Sequence, residues 1–428
     1  MRQTARSVAM EAIRRVTDEG AYSTIVIPGA LGRSRLDERD RAFATDLAFG
    51  TIRHLTSIDW ALDRVASRPV ARMTPSARTV ARLGAYQVLF TGVAPHAAVG
   101  ETVGLARDRE RGFVNAVLRR VAADPPPWPA GAGVDDVSLR TGMATWAVRE
   151  LGRLLPPEEV EPAASAFASP APLCVRTNTS VIEPDRLREA LLEAGLRPRA
   201  ASLDATCFLL DGGDPSALPG YAEGWFAVQD QASALVVRAL DPRQGESVLD
   251  ACAAPGGKTF FVASLVGERG LTVGADAHPG RAGAIGRGAA RLGLRPLVVV
   301  QDATAPALRG PFDRILVDAP CSGLGSSRRR PELLWRNRKD QLSRLARTQV
   351  EIVSALTDLL RPGGRLVYSV CTFPRAETDA AADAILRHRP DLEPEAIAGP
   401  NGPEPRVRLW PHRQGSDGMF VAAFGRKR

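Results

Sequence analysis

The sequence has few lysines and lacks any long apolar run. Only three of its 56 basic residues are lysine, namely Lys258, Lys339 and Lys427, although the formal net charge is +8. No apolar stretch approaches the roughly 20 residues that a transmembrane helix needs, and the basic N-terminus has no signal-peptide core. We therefore expect a cytoplasmic protein without a membrane partner.

The cysteines and histidines are too scattered for a metal site or a disulfide framework. The five cysteines lie far apart, no C-x₂-C pair occurs, and the five histidines form no cluster at ligand spacing. An odd number of cysteines without a signal peptide indicates free thiols in a reducing compartment. We expect no bound metal.

The positive charge favours a polyanionic partner, since the sequence pI is about 9.7. The excess of arginine over lysine has a second interpretation, because a biased nucleotide composition of the gene produces the same skew. Against such a background, a lysine that persists is expected to be needed as a primary amine. Lys258 is such a lysine.

The hydrophobic pattern divides the chain into four segments. Residues 1–122 carry apolar residues at helical spacing, which predicts an all-α domain, with Asp37 as one helix N-cap. The Pro/Gly-rich stretch 123–136 predicts a linker. Residues 137–228 mix helices with a strand and predict a small α+β connector. In 229–428, short apolar strands alternate with helices, the pattern of a doubly wound α/β sheet.

Seven strands and four helices are predicted in the last segment. The strands are 247–251, 271–276, 297–303, 313–320, 365–370, 406–410 and 419–424, and the helices are 258–267, 279–292, 341–361 and 376–389. The first four strands end at or near an aspartate, in order Asp250, Asp276, Asp302 and Asp318. One aspartate at such a position often only caps a helix or turn. Four in succession indicate a ligand site, because ligands of open α/β sheets bind at the carboxyl ends of the strands.

The loop DACAAPGGKT, after the first of these strands, predicts a cofactor site. Its residues are Cys252, Ala253, Ala254, Pro255, Gly256, Gly257 and Lys258. Glycines let the backbone approach a ligand, and the following helix offers free N–H groups. The loop is neither G-x-G-x-x-G nor G-x-x-x-x-G-K-[ST], which disfavours NAD and nucleoside triphosphates. Asp276 is placed to bind ribose hydroxyls, and Asp302 to accept from an adenine amino group.

Two cysteines follow two neighbouring strands, Cys321 in DAPCSGLG and Cys371 in YSVCTF. A lone cysteine is more often a small buried apolar residue, and we interpret Cys174 and Cys207 in that way. Two cysteines at the same edge of the sheet, beside a cofactor loop and without a metal motif, indicate covalent catalysis.

A pair of thiols suits methylation of a pyrimidine at C5. A thiolate that adds to C6 makes C5 nucleophilic towards a methyl donor, and a second thiol is well placed to assist the elimination that follows. Asp318 is positioned to hydrogen-bond the N3 edge of such a base, and Lys258 to polarise it. The base must first be unstacked to enter the pocket.

Three motifs together, DACAAPGGKT, DAPCSGLG and YSVCTFPRAE, closely resemble the Nop/Sun class of RNA cytosine-5 methyltransferases. The resemblance continues through RRRPELLW, QVEIVSAL and DGMFVAAF. In addition, RAFATDLAFGTIRH, ARLGAYQVLF and FVNAVLRRV resemble the NusB-like helical domain of the bacterial RsmB-type branch, which methylates 16S ribosomal RNA. The implied fold is a Rossmann-like class I methyltransferase sheet preceded by an all-α NusB-like domain.

The resemblance also implies roles for individual residues. Cys371 is the expected nucleophile, and Cys321 is expected to assist release of the product. Contacts to S-adenosyl-L-methionine map onto 252–258, Asp276, Asp302 and Asp318, without any metal. The expected substrate is 16S rRNA, and the expected assembly state is a monomer.

Other functions remain open at this stage. A transfer-RNA methyltransferase would use the same chemistry, and a DNA cytosine-5 methyltransferase would use Cys321 as its nucleophile. A protein without catalysis, in which a NusB-like RNA-binding or antitermination module precedes an inactive sheet domain, is the alternative from another class. The basic stretch 326–347, which contains Trp335, is expected to be an RNA-facing loop or, alternatively, a solvated helix face.

Overall fold

A computed structural model describes residues 3–428. The described residues up to Ser169 form ten α-helices. These helices are α1 (Ala5–Thr17), α2 (Ser23–Gly32), α3 (Glu38–Arg53), α4 (Leu55–Val65), α5 (Pro75–Phe90), α6 (Pro95–Val103), α7 (Asp108–Ala123), α8 (Val134–Thr141), α9 (Thr145–Leu154) and α10 (Pro157–Phe167). Asp37 is the N-cap of α3, as predicted, and its carboxylate accepts a hydrogen bond from the backbone N–H of Asp40 at 2.8 Å.

A small antiparallel sheet follows these helices. Its strands and its one long helix are β1 (Leu173–Thr177), α11 (Pro184–Glu193), β2 (Arg199–Ala200), β3 (Cys207–Leu210) and β4 (Phe226–Val228). The strand order is β2–β3–β1–β4. Leu187 and Leu191 of α11 pack against Val175 and Phe208 of the sheet, so the sheet has a small apolar core of its own.

The rest of the chain alternates strands with helices. In chain order the elements are α12 (Gln231–Leu240), β5 (Ser247–Asp250), α13 (Gly257–Val266), β6 (Leu271–Asp276), α14 (Pro279–Arg291), β7 (Leu297–Val300), β8 (Phe312–Asp318), α15 (Leu333–Arg336), α16 (Lys339–Thr357), β9 (Leu360–Val370), α17 (Asp379–His388), β10 (Leu392–Glu395), β11 (Ile397–Gly399), β12 (Gly402–Glu404), β13 (Arg406–Leu409), α18 (Pro411–Gln414) and β14 (Met419–Arg426).

The large sheet has the order β10–β14–β9–β8–β5–β6–β7, with β13 paired to β14. Strands β5 to β9 pair in parallel, and β14 is antiparallel to β9. Successive side chains face opposite sides of the sheet. Leu249 packs on the side of α16, with Val353, and Val248 packs on the side of α12, with Val236. This confirms the predicted doubly wound α/β sheet preceded by an all-α domain.

Several elements of this region differ from the prediction, among them α15, α18, β11 and β12, which were not predicted. Helix α12 was not predicted either, because eight of its ten residues are buried and its sequence QASALVVRAL is a mostly apolar run, which does not by itself distinguish a buried helix from a strand. Strand β10, with the sequence LEPE, contains residues that are rare in strands and pairs only at the sheet edge. Strand β9 begins at Leu360 and so includes a Pro-Gly-Gly stretch that was expected to separate helix from strand.

The chain forms two compact units. One contains the described residues up to Ser169 together with Ser327–Asn337, and the other contains Pro170–Ser326 and Arg338–Arg428. The predicted connector, 137–228, therefore extends over both units. Within the predicted linker, 123–136, residues 124–133 between α7 and α8 have no regular structure, yet Trp128 stacks on Trp60, with ring centroids 5.2 Å apart. No helix among residues 3–428 has both the length and the apolar character to cross a bilayer.

Ser327–Asn337 is held inside the helical unit by hydrogen bonds at helix ends. Glu332 is fully buried and accepts from the backbone N–H and the hydroxyl of Ser23, the first residue of α2, at 3.3 and 2.6 Å. Trp335 donates its indole N–H to the carbonyl of Ile52 at 2.8 Å, near the end of α3. Arg336 donates to three carbonyls just after or at the end of α1, those of Val16, Gly20 and Ala21.

These contacts correct one expectation from the sequence. The basic stretch was expected to be an RNA-facing loop, but Trp335 packs against the core of the helical unit instead of offering a free stacking face. Its arginines include Arg336, whose guanidinium satisfies carbonyls that a helix end leaves without partners. The exposed basic residues of this stretch, such as Arg338, Lys339 and Arg344, lie beyond Asn337.

Replacing Glu332 should therefore destabilise the helical unit. In Glu332→Ala, the N–H and hydroxyl of Ser23 stay buried without an acceptor, which should lower the free energy of unfolding by about 3 kcal/mol. Denaturant unfolding followed by circular dichroism measures this loss. Glu101→Ala, an exposed position of the same unit, is the matched control and should change stability by less than about 0.5 kcal/mol. Equal midpoints for the two variants would contradict the assigned contacts.

Candidate active site

The loop between β5 and α13 has a backbone conformation that requires glycine. Gly256 has φ +115°, and a Cβ built there would lie 2.3 Å from the ring of Phe260. Helix α13 begins at the next residue, Gly257. The first N–H groups of this helix therefore emerge from a loop without bulky side chains, an arrangement that suits an anionic or polar ligand group.

The aspartates at the ends of β6 and after β7 lie at the same edge of the sheet. Asp276 is only 4% exposed, and its Oδ1 accepts from the N–H of His278 at 3.0 Å. Its Oδ2 lies 3.1 Å from the guanidinium of Arg281, which also reaches the carbonyl of Ala254 in the cofactor loop at 3.3 Å. Asp302 is exposed, and a hydrogen bond from the N–H of Thr304 at 2.9 Å lowers the pKa of its carboxyl.

Asp250, the aspartate that ends β5, has a different role from the others. Its side chain is buried and accepts from the hydroxyl of Thr259 at 2.7 Å. Burial raises the pKa of this carboxyl to about 7, and the hydrogen bond from Thr259 only partly offsets that effect. Asp250 therefore braces the cofactor loop against α13 from inside the protein.

Lys258 and Asp318 form an ion pair at the carboxyl edge of the sheet. The ammonium of Lys258 lies 2.7 Å from Oδ2 of Asp318 and 3.4 Å from the hydroxyl of Ser233 on α12. Oδ1 of Asp318 accepts from the hydroxyl of Ser369 at 2.8 Å. Burial lowers the pKa of Lys258, but the attraction and hydrogen bond of Asp318 outweigh it and leave the pKa raised. The lysine is thus held as a cation.

The structure brings the two predicted cysteines into contact. The sulfur atoms of Cys321 and Cys371 are 3.4 Å apart, and both residues are partly exposed. Cys174 and Cys207, which were interpreted as apolar core residues, are fully buried in the small sheet. Among residues 3–428 there is no group of three His, Cys, Asp or Glu side chains that could hold a metal ion.

The surroundings make the two sulfur atoms chemically different. A hydrogen bond from Cys321 lowers the pKa of Cys371, and the nearby Lys258 ammonium acts in the same direction against burial and Asp318. The same hydrogen bond and burial raise the pKa of Cys321 well above its usual value. Cys371 is therefore the more acidic of the two sulfur atoms, and its thiolate, once formed, accepts a hydrogen bond from the Cys321 thiol.

Sequence reasoning did not identify the polar side chains that support these groups. Ser233 lies on the unpredicted helix α12, and Ser369 precedes Cys371 by two residues. Both serines fall within apolar runs, and a single polar residue in such a run is the sequence feature that could have identified them as site residues. A further buried group beneath the thiols centres on Glu377, which lies in the quoted motif YSVCTFPRAE but had no role assigned to it.

Comparisons with known proteins agree with this geometry. Residues 237–425 match the family model described as 16S rRNA methyltransferase RsmB/F, and residues 3–123 match the NusB family. The ribosomal RNA small subunit methyltransferase B of Vibrio cholerae is 33% identical over 431 residues, covering 99% of this chain and 97% of that protein.

Two crystal structures have the same fold. The structure of PH0851 covers 100% of both chains with a TM-score of 0.85 at 22% identity. A methyltransferase homologue from Pyrococcus horikoshii covers 68% of this chain and 98% of its own, with a TM-score of 0.59 at 26% identity. These findings confirm the predicted fold and enzyme class, with S-adenosyl-L-methionine as cofactor and RNA as partner. The chain belongs to the RsmB/F family of 16S rRNA methyltransferases.

Proposed function

We propose that this enzyme methylates C5 of a cytosine in 16S rRNA through a covalent bond between Cys371 and C6 of the base. The observation that carries the proposal is the contact of the two sulfur atoms, 3.4 Å apart, at the strand edge that also holds Lys258 and Asp318. The lowered pKa of Cys371 supports its role as nucleophile in preference to Cys321. A DNA-type mechanism would instead need the lowered pKa on Cys321, which would then be the nucleophile.

The residues of the cofactor loop fit S-adenosyl-L-methionine. The backbone of 252–258 leads into the N-terminus of α13, whose first N–H groups have no acceptor within the helix and suit a polar group of the ligand. Asp276 is assigned to the ribose and Asp302 to the adenine, since both carboxylates lie beyond the carboxyl ends of neighbouring strands. When bound, the cofactor supplies an electrophilic methyl group.

The attack on the base uses the ion pair beside the thiolate. Cys371 adds to C6, and the electron pair of the C5=C6 bond makes C5 nucleophilic towards the methyl group. Asp318 is assigned to the N3 edge of the cytosine, where its carboxylate accepts from the amino group, in an orientation fixed by the hydroxyl of Ser369. The Lys258 ammonium stabilises the negative charge that develops on the ring. The base must leave its stack to reach these groups.

Release of the product requires loss of the C5 proton and of the sulfur. Once Cys371 is bonded to C6, Cys321 gives its proton to solvent and becomes a base. It then takes the C5 proton, the C–H electrons restore the C5=C6 bond, and the C6–S pair returns to Cys371 as thiolate. At the end of the cycle both cysteines have regained the protonation states with which it began. For each methyl group transferred, the base has lost one proton from C5 and one proton has passed to solvent.

The choice of 16S rRNA rests on the names of the full-length relatives, and a transfer RNA remains the alternative substrate. We place the enzyme in the cytoplasm, where free thiols persist. We also propose that it acts as a monomer. Bisulfite sequencing of ribosomal and transfer RNA from a deletion strain tests the substrate. Loss of one 5-methylcytosine from 16S rRNA is expected, whereas loss from transfer RNA alone would overturn the assignment. A non-catalytic RNA-binding role predicts no lost methylcytosine at all.

The two thiols should give opposite results when replaced. Cys371→Ala should form no covalent adduct and no product, because the nucleophile is missing. Cys321→Ala should attack and methylate slowly, since Cys321 lowers the pKa of Cys371, and should then stall before elimination. Denaturing gels should show a protein–RNA adduct that disappears on ribonuclease treatment. An adduct in Cys371→Ala and none in Cys321→Ala would make Cys321 the nucleophile. Melting curves control for stability, which should change by about 1 kcal/mol at most.

The Lys258 ammonium should set the pH at which Cys371 reacts. In the wild-type enzyme the thiolate forms as pH rises through a pKa that lies below the ordinary 9.0. Lys258→Met removes a positive charge and leaves Asp318 unpaired, so that this pKa should rise and alkylation at neutral pH should slow. Alkylation of Cys371 by iodoacetamide, followed by mass spectrometry across pH, measures the change. Lys339→Met, at an exposed position, is the control, and an identical shift there would refute the assignment.

Asp276 should contribute directly to cofactor affinity. A charge-assisted hydrogen bond is worth about 1.5–3 kcal/mol, so Asp276→Ala should bind S-adenosylmethionine about 10- to 100-fold more weakly by calorimetry. Arg281→Ala is the control, because it removes the ion pair between Arg281 and Asp276 but keeps the carboxylate of Asp276. That control should bind the cofactor at least as tightly as the wild type. Unchanged affinity in Asp276→Ala would remove Asp276 from the site.

A further inference from the structure

A buried carboxylate lies directly behind the two cysteine loops. Glu377 is fully buried, and no basic side chain in the described part of the chain pairs with it. Burial raises the pKa of its carboxyl, and hydrogen bonds from Ser322 and Gln349 oppose that effect. A carboxylate in such a place is costly unless donors surround it. Here the donors come from the residues that flank the cysteines.

The carboxylate of Glu377 is hydrogen-bonded to the residue after Cys321 and, through Gln349, to the residue before it. Its Oε1 accepts from the backbone N–H of Ser322 at 2.9 Å, and its Oε2 accepts from the Ser322 hydroxyl at 2.5 Å. Gln349 on α16 donates to Oε1 at 3.1 Å and to the carbonyl of Pro320 at 2.9 Å. The residue before Cys321 and the residue after it are thus attached to one buried group.

The same group extends to Cys371 through a single hydroxyl. The hydroxyl of Ser322 lies 2.7 Å from that of Thr372, the residue that follows Cys371. While Glu377 is ionised it accepts only, so Ser322 gives its one hydrogen to Glu377 and accepts from Thr372. The direction of donation therefore runs from Thr372 to Ser322 to Glu377.

The far side of the group is anchored on the sheet. The hydroxyl of Tyr368, on β9 and fully buried, lies 2.6 Å from the backbone carbonyl of Glu377 and 2.9 Å from the side-chain carbonyl of Gln349. Strand β9 continues directly into Cys371. The carboxylate is thus fixed to the sheet that carries the nucleophile, and it fixes the loop that carries the second thiol.

We propose that Glu377 is a positioning residue, whose buried carboxylate sets the distance between the two sulfur atoms. It fixes Ser322 beside Cys321 directly and Thr372 beside Cys371 through the Ser322 hydroxyl. The proposal rests on the division of labour given above, in which Cys321 acts in the elimination. Because Glu377 holds the Cys321 loop directly, its loss should disturb elimination more than attack. Loss of the Thr372 hydroxyl should disturb attack more, because it releases only the residue after Cys371.

Two nearly isosteric variants test this difference. In Glu377→Gln, either orientation of the amide turns an NH₂ group towards a donor of Ser322 or Gln349. We expect kcat to fall about 10- to 100-fold, as a displacement near 1 Å produces, with the RNA KM changed less than about threefold. During turnover, a covalent protein–RNA adduct should accumulate on denaturing gels. Thr372→Val should also lower kcat, but without accumulation of the adduct.

Matched controls distinguish positioning from a loss of folded protein. Thr357→Val removes a buried hydroxyl that bonds the carbonyl of Val353 within α16, and Glu395→Gln removes a carboxylate paired with Arg365. Both should keep wild-type kcat and show no adduct. If Glu377→Gln does not fold, Ser322→Ala breaks the same connection with a smaller change and should accumulate the adduct in its place.

Cys321→Ala, assayed in parallel, separates this proposal from the proposed function. If Cys321→Ala traps the adduct while Glu377→Gln turns over without one, Glu377 does not position Cys321, and the proposed function stands. If a lower melting temperature and a proportional loss of activity are the only effects in Glu377→Gln, its role is merely structural and the proposal is wrong. If Cys321→Ala itself traps nothing, the division of labour fails, and the role of Glu377 fails with it.

Discussion

The parallel pairing of β8 with β9 is the constraint on which the active site depends. Its register places Asp318 opposite Ser369, and each strand then continues by two or three residues to a cysteine. Because the carboxyl ends of parallel strands meet at one edge, the two loops emerge side by side, and a shift by one residue would turn every side chain to the other face. The ion pair, the thiol contact and the buried carboxylate all require this register.

Electrostatic differences then give chemically similar groups different behaviour. Asp250 and Asp318 end adjacent strands, yet Asp250 is buried beneath the loop, whereas Asp318 is paired with Lys258 at the edge. Likewise, two thiols in contact cannot both ionise easily, and Lys258 favours the charge on Cys371. The fold thus makes Cys371 the more acidic of two identical side chains, chiefly through the hydrogen bond from Cys321 and also through the Lys258 ammonium.

The sequence was sufficient to predict much of this edge. The strand ends were recognisable because parallel strands buried on both faces are short apolar runs with clear limits. An aspartate lies at or just after three of these ends, namely Asp276, Asp302 and Asp318. The cysteines were recognisable because thiols are scarce in this chain. Helix α12 was missed because a short, mostly apolar run does not reveal whether it forms a buried helix or a strand. Glu377 was missed because nothing local distinguishes a buried glutamate from an exposed one. Its partners, Ser322 and Gln349, come from distant parts of the sequence.

The docking of Ser327–Asn337 within the helical unit has a consequence for how this protein can be divided. The chain leaves the sheet unit shortly after the Cys321 loop, contributes the buried Glu332 and Leu334 to the helical unit, and returns at Arg338. The NusB-like region is therefore not a detachable appendage, and no single cut yields two complete parts. A gene fragment encoding only the sheet region would carry an orphaned apolar segment next to its second thiol.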